Sequence, residues 1–213
     1  TRTKGTLKFD IQPINNKKVL GIAVSGLKGG HSGMDIIKER GNSNKILGRV
    51  LKALSQEINI NLVDINGGSK NNAIPREALA IIAIDKQDEN KVCEIVSQWS
   101  EKIKKELRVQ DPDLKIEIID REFRASEMFT AKATEKTIDL LYLYPNGINT
   151  KSVEIEGLVE SSTNVGVVTT KNNYVQFDSA VRSSVPSLKE EIVTRTKNIV
   201  ELLGGEMVTT SDY

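Results

Sequence analysis

The stretch INLVDINGGSKNNAIPREALAIIAID, residues 60–85, contains two apolar segments separated by a polar loop. The segments Ile60–Gly68 and Glu77–Asp85 are rich in the branched apolar residues that favour β-strands. Between them, two glycines and Pro75 are typical of a turn or loop. We therefore predict two strands that are consecutive in the chain.

A helix is predicted on each side of these strands. Residues 44–56 place their apolar side chains at the i, i+3, i+4 spacing of a core-facing helix, with Ser43 as the N-cap, and residues 89–107 show the same spacing. Residues 18–25 and 114–120 read as the first and last strands along the chain of this set. The order strand, helix, strand, strand, helix, strand is the split βαβ pattern of a ferredoxin-like unit.

The rest of the chain repeats this order of elements. We predict a helix at residues 131–144, strands at 161–170 and 174–184, a helix from Pro186 and a short strand at 206–209. The expected fold class is α+β, with two ferredoxin-like (βαββαβ) units in tandem that form an antiparallel sheet covered by helices. The approximate halves are residues 1–120 and 121–213.

The first residues form one more predicted strand. Residues 4–11 alternate in the manner of a strand, and the polar link at residues 12–16 looks like a turn. We therefore expect residues 4–11 to form a hairpin with residues 18–25.

Composition excludes several classes of protein. The formal net charge is +1, with 30 basic and 29 acidic side chains, whereas a nucleic-acid interface needs a basic face. No apolar run approaches the ~20 residues of a membrane span. We expect no nucleic-acid partner and no membrane partner. We expect a cytoplasmic location, because a signal-like stretch is absent and one unpaired thiol suits a reducing compartment.

The single cysteine, Cys93, lies in a helical pattern, so we expect it to be a small buried hydrophobe. A nucleophilic role would require a histidine partner, and the sole histidine is His31. One histidine and one cysteine do not provide the ligands usual for zinc, so no metal site is predicted within the chain.

His31 is the first candidate functional residue. It lies in GLKGGHSG (Gly26–Gly33), where glycines allow another molecule to approach the backbone closely. An imidazole on such a loop can donate a hydrogen bond to an incoming oxygen. The alternative is a surface histidine beside a helix start, with Ser32 as a local cap.

Two further candidates carry polar groups suited to a carboxylate. Asn72, in NGGSKNNAIPREA (Asn66–Ala78), offers an amide, although turn asparagines often bond to their own backbone instead. Arg182, near the end of FDSAVRSS, could bind a carboxylate with both arms of its guanidinium. An edge arginine or a surface ion pair is the alternative for Arg182.

Taken together and in this order, five motifs resemble the bacterial aminoacyl-histidine (Xaa-His) dipeptidases of the di-zinc peptidase superfamily that includes carnosinases. They are GLKGGHSG, RGNSNK (Arg40–Lys45), NGGSKNNAIPREA, GLVESSTNVGVV and VRSS. The resemblance covers about Gly5 to Tyr213. It is a resemblance to the lid inserted into the catalytic domain of those enzymes.

The resemblance implies how a lid of this kind works. It implies that residues 1–213 are the lid alone and that two zinc ions are held by a catalytic domain outside this chain. His31 matches a histidine that hydrogen-bonds the substrate carbonyl as the oxyanion forms. Arg182 and Asn72 match residues expected to hold the terminal carboxylate, and Asn164 is a further substrate-binding candidate. The implied partners are the catalytic domain, a dipeptide and possible second copies through the lid.

Two other interpretations stay open at this point. The chain could be the lid of a related metallopeptidase or deacylase with another substrate. It could also be a non-catalytic module of tandem ferredoxin-like units that binds ligands or oligomerises, since fold alone does not decide function.

Overall fold

The computed structural model describes residues 1–210, so the last three residues of the predicted 1–213 domain lie outside the described part. The four α-helices are α1 (Ser43–Glu57), α2 (Glu89–Glu106), α3 (Ala131–Leu143) and α4 (Pro186–Leu202). The strands in the described part are β1 (Arg2–Lys8), β2 (Ile11–Pro13), β3 (Lys18–Ser25), β4 (Gly30–His31), β5 (Ile60–Gly67), β6 (Ala73–Ile74), β7 (Ala78–Ile84), β8 (Lys115–Ile119), β9 (Glu127–Phe129), β10 (Gly147–Lys151), β11 (Val159–Thr170), β12 (Tyr174–Ser183) and β13 (Glu206–Thr210).

The first ferredoxin-like unit has the predicted elements. β3, α1, β5, β7, α2 and β8 follow one another along the chain, and the strands lie in the order β5-β7-β3-β8. All neighbouring strands in this part of the sheet are antiparallel. The α+β fold class with an antiparallel sheet is therefore confirmed.

The second unit takes its first strand from the start of the chain. Its strands lie in the order β13-β1-β12-β11, so β1 occupies the place that β3 has in the first unit. The predicted hairpin of residues 4–11 with residues 18–25 is wrong, because β1 pairs with β12 and β13. Alternating hydrophobicity marks a strand but does not identify its neighbour.

This topology inserts one unit into the other. The first unit lies in the connection between β1 and α3 of the second, so the division near residue 120 separates the two sets of strands except for β1. The predicted turn at residues 12–16 contains the end of β2, which pairs with β9 where the chain enters and leaves the inserted unit.

The two units meet through equivalent elements. β5 and β11, the second strand of each unit, pair antiparallel through Gly67 with Val168 and Asn66 with Thr169. The first helices, α1 and α3, pack side by side. A two-fold dimer also joins equivalent surfaces in this way, so the chain contains the arrangement of a dimer within one polypeptide.

Two local predictions are corrected by the structure. The N-cap of α1 is Asn42, whose side chain accepts a hydrogen bond from the Lys45 N–H, whereas Ser43 is the first helical residue. Cys93 is exposed on α2, while its neighbour Val92 is fully buried. Neighbouring helix positions face different directions, and Cys93 falls outside the apolar stripe of α2.

Lys45 connects the two units at the end of α3. Its Nζ atom lies 2.6–2.7 Å from the carbonyl oxygens of Leu141, Tyr142 and Tyr144. Burial lowers the pKa of the Lys45 amine to about 7. Three acceptors need three N–H donors, which only the ammonium has, so these contacts oppose the effect of burial and favour the charged form. The negative end of the helix dipole favours it as well.

Replacement of Lys45 by methionine should destabilise the fold, because three carbonyls lose their donor. Methionine is chosen because it keeps most of the apolar stem. We expect Lys45→Met to lower the free energy of unfolding by about 2 kcal/mol, measured by urea denaturation. The matched control is Lys52→Met, which removes an ion pair between Lys52 of α1 and Asp139 of α3, both half-buried. We expect this control to cost less than ~1 kcal/mol. Equal effects of the two substitutions would contradict the role given to Lys45.

Candidate functional site

A glycine-rich segment between β3 and α1, residues 26–42, carries His31 and is called the His31 loop below. Gly30 and His31 form β4, which pairs with Ile74 and Ala73 of β6. Gly30 has φ +145°, and a Cβ there would lie 2.7 Å from a carboxylate oxygen of Asp35. The loop therefore requires glycine at this position to keep its path past Asp35.

The imidazole of His31 is oriented by its own loop. Its Nδ1 atom accepts hydrogen bonds from the backbone N–H groups of Gly33 and Met34, each at 3.2 Å. An Nδ1 that accepts cannot carry the proton of the neutral ring, so Nε2 carries it. None of the described residues accepts a hydrogen bond from Nε2. The ring is thus arranged as a donor toward an external acceptor.

Asp35 fixes the backbone of the same loop. Its Oδ2 atom accepts from the His31 N–H at 2.8 Å, and its Oδ1 atom lies 2.6 Å from Lys38 Nζ. The Lys38 contact, followed by the His31 N–H, lowers the pKa of the Asp35 carboxyl. The residue therefore stays ionised at neutral pH and holds the turn that presents the imidazole. Residue spacing alone did not single out Asp35.

Arg182, on β12 of the second unit, lies beside His31 of the first. A Cβ placed on Gly33 would be 3.1 Å from His31 Cε1 and 3.2 Å from Arg182 Nε, so the two side chains meet at this glycine. Arg182 Nε is buried and has no hydrogen-bond partner among the described residues. Within residues 1–210, Arg182 also forms none of the ion pairs found. The guanidinium of Arg182 is therefore available to bind an anion from outside the chain.

Asn72 lies in the same region, in the loop between β5 and β6. Its backbone carbonyl accepts from Ser32 N–H at 2.9 Å, which joins this loop to the His31 loop. Asn72 and Arg182 both line a cleft of about 410 Å³. The structure thus brings together His31, Asn72 and Arg182 from two units of one chain.

Asn164 lies in this region but its side chain is already engaged. Its amide donates to the carbonyls of Asn71 and Ala73, at 3.0 and 2.8 Å, on either side of Asn72. Its Oδ1 atom accepts from Asn42 Nδ2 at 3.2 Å. These contacts make Asn164 a support for the loop of Asn72. A direct contact with substrate stays a prediction that these contacts do not favour.

The described residues do not form a zinc centre. Within residues 1–210, no three His, Cys, Asp or Glu side chains converge in a way that could hold a metal ion. None of the described helices is long and apolar enough to cross a membrane.

Comparison with known proteins relates the chain to peptidases. Residues 22–111 match the family described as peptidase dimerisation domain. The whole chain is similar to aminoacylhistidine dipeptidase from Vibrio alginolyticus, with a TM-score of 0.93 and 33% identity over 97% of this chain and 42% of that one. The predicted resemblance to a dipeptidase lid is thereby confirmed.

A curated relative supports the same assignment. The cytosol non-specific dipeptidase of Escherichia coli (strain K12) is 35% identical over 192 residues, which are 90% of this chain and 39% of that protein. The chain therefore spans about two fifths of the length of the relatives it matches. This fraction agrees with a lid-type domain within a larger peptidase.

The tautomer of His31 can be tested directly, because the chain has one histidine. We expect ¹⁵N NMR at a pH where the ring is neutral to show a pyridine-type Nδ1 and a pyrrole-type Nε2, since two N–H groups point at Nδ1. A pyrrole-type Nδ1 would contradict this geometry.

Proposed function

We propose that the chain is the lid of a zinc-dependent dipeptidase that hydrolyses dipeptides with a C-terminal histidine. The observation that carries this proposal is the meeting of His31 and Arg182 at Gly33, in a chain related to two dipeptidases. The zinc ions belong to a catalytic domain outside this chain, and the lid without that domain is inactive. We further propose a cytosolic location, because the E. coli relative is named as a cytosol dipeptidase.

His31 is proposed to donate a hydrogen bond from Nε2 to the carbonyl oxygen of the scissile amide. Negative charge develops on that oxygen during attack on the carbonyl carbon, so a fixed donor stabilises the transition state more than the bound substrate. One such donor contributes about 3–4 kcal/mol to catalysis. Asp35 and the N–H groups of Gly33 and Met34 keep the donor oriented before the substrate arrives.

Arg182 and Asn72 are proposed to bind the terminal carboxylate of the dipeptide. A guanidinium can hold a carboxylate through two parallel N–H···O bonds, and the amide of Asn72 adds a donor in the same cleft. Both residues lie on the same chain as His31, which supports a single lid that supplies all three groups. Association of two copies through the lid is also proposed, as the family description of residues 22–111 suggests.

A broader substrate range is the second candidate. The E. coli relative is named a non-specific dipeptidase, whereas the Vibrio protein is named for aminoacylhistidine substrates. An assay of the full-length parent with zinc should therefore compare β-alanyl-histidine and other Xaa-His dipeptides with dipeptides that lack histidine. Hydrolysis confined to Xaa-His substrates supports the first candidate, and equal rates on both groups support the second.

Removal of the His31 imidazole should slow turnover far more than it weakens substrate binding. We expect His31→Ala in the full-length parent to lower kcat by about 10²–10³-fold, with KM changed by less than roughly threefold. Steady-state kinetics on β-alanyl-histidine measures both values, and thermal unfolding checks that the variant remains folded. An unchanged kcat in a folded variant contradicts the oxyanion role.

Removal of the Arg182 guanidinium should affect substrate binding most. We expect Arg182→Met to raise KM by roughly 10- to 100-fold, the effect of losing a charge-assisted hydrogen bond pair. The matched control is Arg195→Met, which removes the same charge from an exposed arginine paired with Glu191 and Asn149. If the two variants have the same KM, Arg182 does not bind the carboxylate.

A further inference from the structure

We infer that Asp111 is a positioning residue for His31, and this inference rests on the proposed function of His31. Asp111 follows α2 and is 1% exposed. Its Oδ1 atom accepts from the backbone N–H of Lys28 at 2.8 Å, and its Oδ2 atom accepts from the backbone N–H of Gly41 at 2.6 Å. One carboxylate thus binds both ends of the His31 loop.

The Asp111 carboxylate is buried without a cation beside it among the described residues. Asp111 forms none of the ion pairs found among residues 1–210, so the two N–H groups are its partners inside the fold. A buried charge without a cation costs free energy of desolvation, and hydrogen bonds to backbone N–H groups offset part of that cost. An apolar side chain would avoid the cost but could not join Lys28 to Gly41. The two hydrogen bonds that fix the loop therefore account for an aspartate at residue 111, where an apolar side chain would pack at lower cost.

The same turn touches the His31 loop at a third point. A Cβ on Gly26 would lie 2.0 Å from the carbonyl oxygen of Asp113, so the two backbones are in close contact. Residues 111–114 therefore form the base on which the loop rests, between α2 and β8. The loop does not depend on Asp35 alone, which acts near its tip.

Asp111 acts on His31 through the backbone and not through contact with substrate. The residues between its two contact points, 29–40, include His31 and the Gly33 and Met34 N–H groups that orient the ring. If the base of the loop opens, the donor moves relative to the substrate carbonyl. Misplacement of a catalytic group by about 1 Å can lower the rate roughly 100-fold.

The test is a double-substitution experiment in the full-length parent. Asp111→Asn has nearly the same shape but one of its two contacts becomes an NH₂ group facing an N–H donor. We expect this variant to lower kcat by roughly 10- to 100-fold with KM changed less than about threefold. The control is Glu117→Gln, which removes one carboxylate charge from an exposed position on β8, outside the base of the loop, and should leave kcat unchanged.

The decisive comparison uses the His31→Ala background. If Asp111 acts through His31, adding Asp111→Asn to His31→Ala lowers kcat no further, because the positioned group is already absent. An additional tenfold loss in that background, or a rise in KM in place of a fall in kcat, overturns the inference. A normal kcat in folded Asp111→Asn overturns it as well.

A second variant covers the case in which Asp111→Asn does not fold. Gly41→Ala disturbs the same contact from the loop side, since its Cβ would lie 2.8 Å from a methyl group of Leu107 and 2.9 Å from one of Leu27. It should lower kcat with the same dependence on His31, and additivity with His31→Ala overturns the inference here too. If His31→Ala itself leaves kcat unchanged, the proposed function fails. If His31→Ala lowers kcat and the Asp111 variants do not, only the present inference fails.

Discussion

The joint between β5 and β11 is the constraint on which the site depends. The strands share the pairs Gly67–Val168 and Asn66–Thr169, and this short ladder sets the position of the first unit relative to the second. His31 belongs to one unit and Arg182 to the other, so a shift at the joint would separate them. A ladder this short needs additional contacts to hold its register.

Buried asparagines supply those contacts. Asn42 Nδ2 lies 2.9 Å from Asn146 Oδ1 and 3.1 Å from the Val165 carbonyl, and Asn44 Nδ2 lies 3.2 Å from the same carbonyl. Asn164 extends the network to the loop of Asn72. Hydrogen bonds are directional, so they can form in few relative positions of the two units, whereas apolar contacts can form in many. The polar joint therefore helps to specify where Arg182 lies relative to the His31 loop.

The sequence predicted the elements well where the pattern was local. The apolar stripe of α1, the branched apolar residues of β5 and β7 and the proline at the start of α4 each depend on a few neighbouring residues. The pairing of β1 with β12 could not be read in this way, because the partners are more than 160 residues apart in sequence. The predicted burial of Cys93 was wrong for a local reason, because one step along a helix turns a side chain by about 100°.

The sequence indicated residues of the candidate site but not the contacts that support them. Residue type and loop composition indicated His31, Asn72 and Arg182, and the fold brings the three together. The sequence did not indicate the supporting residues Asp35 and Asp111. An aspartate that accepts backbone hydrogen bonds has no local sequence pattern that distinguishes it from a solvated aspartate. Asn164 is the opposite case, because the sequence indicated a substrate contact whereas its amide donates to the backbone of the Asn72 loop. Only the three-dimensional contacts separate these roles.

The insertion also explains why the described chain presents one such site. In the first unit, the His31 loop connects the first strand, β3, to the first helix, α1. The equivalent connection of the second unit, from β1 to α3, is occupied by the whole first unit. A two-fold dimer of identical units would form two equivalent loops and two sites. Here that connection of the second unit holds the first unit, and the second unit contributes Arg182 to the candidate site.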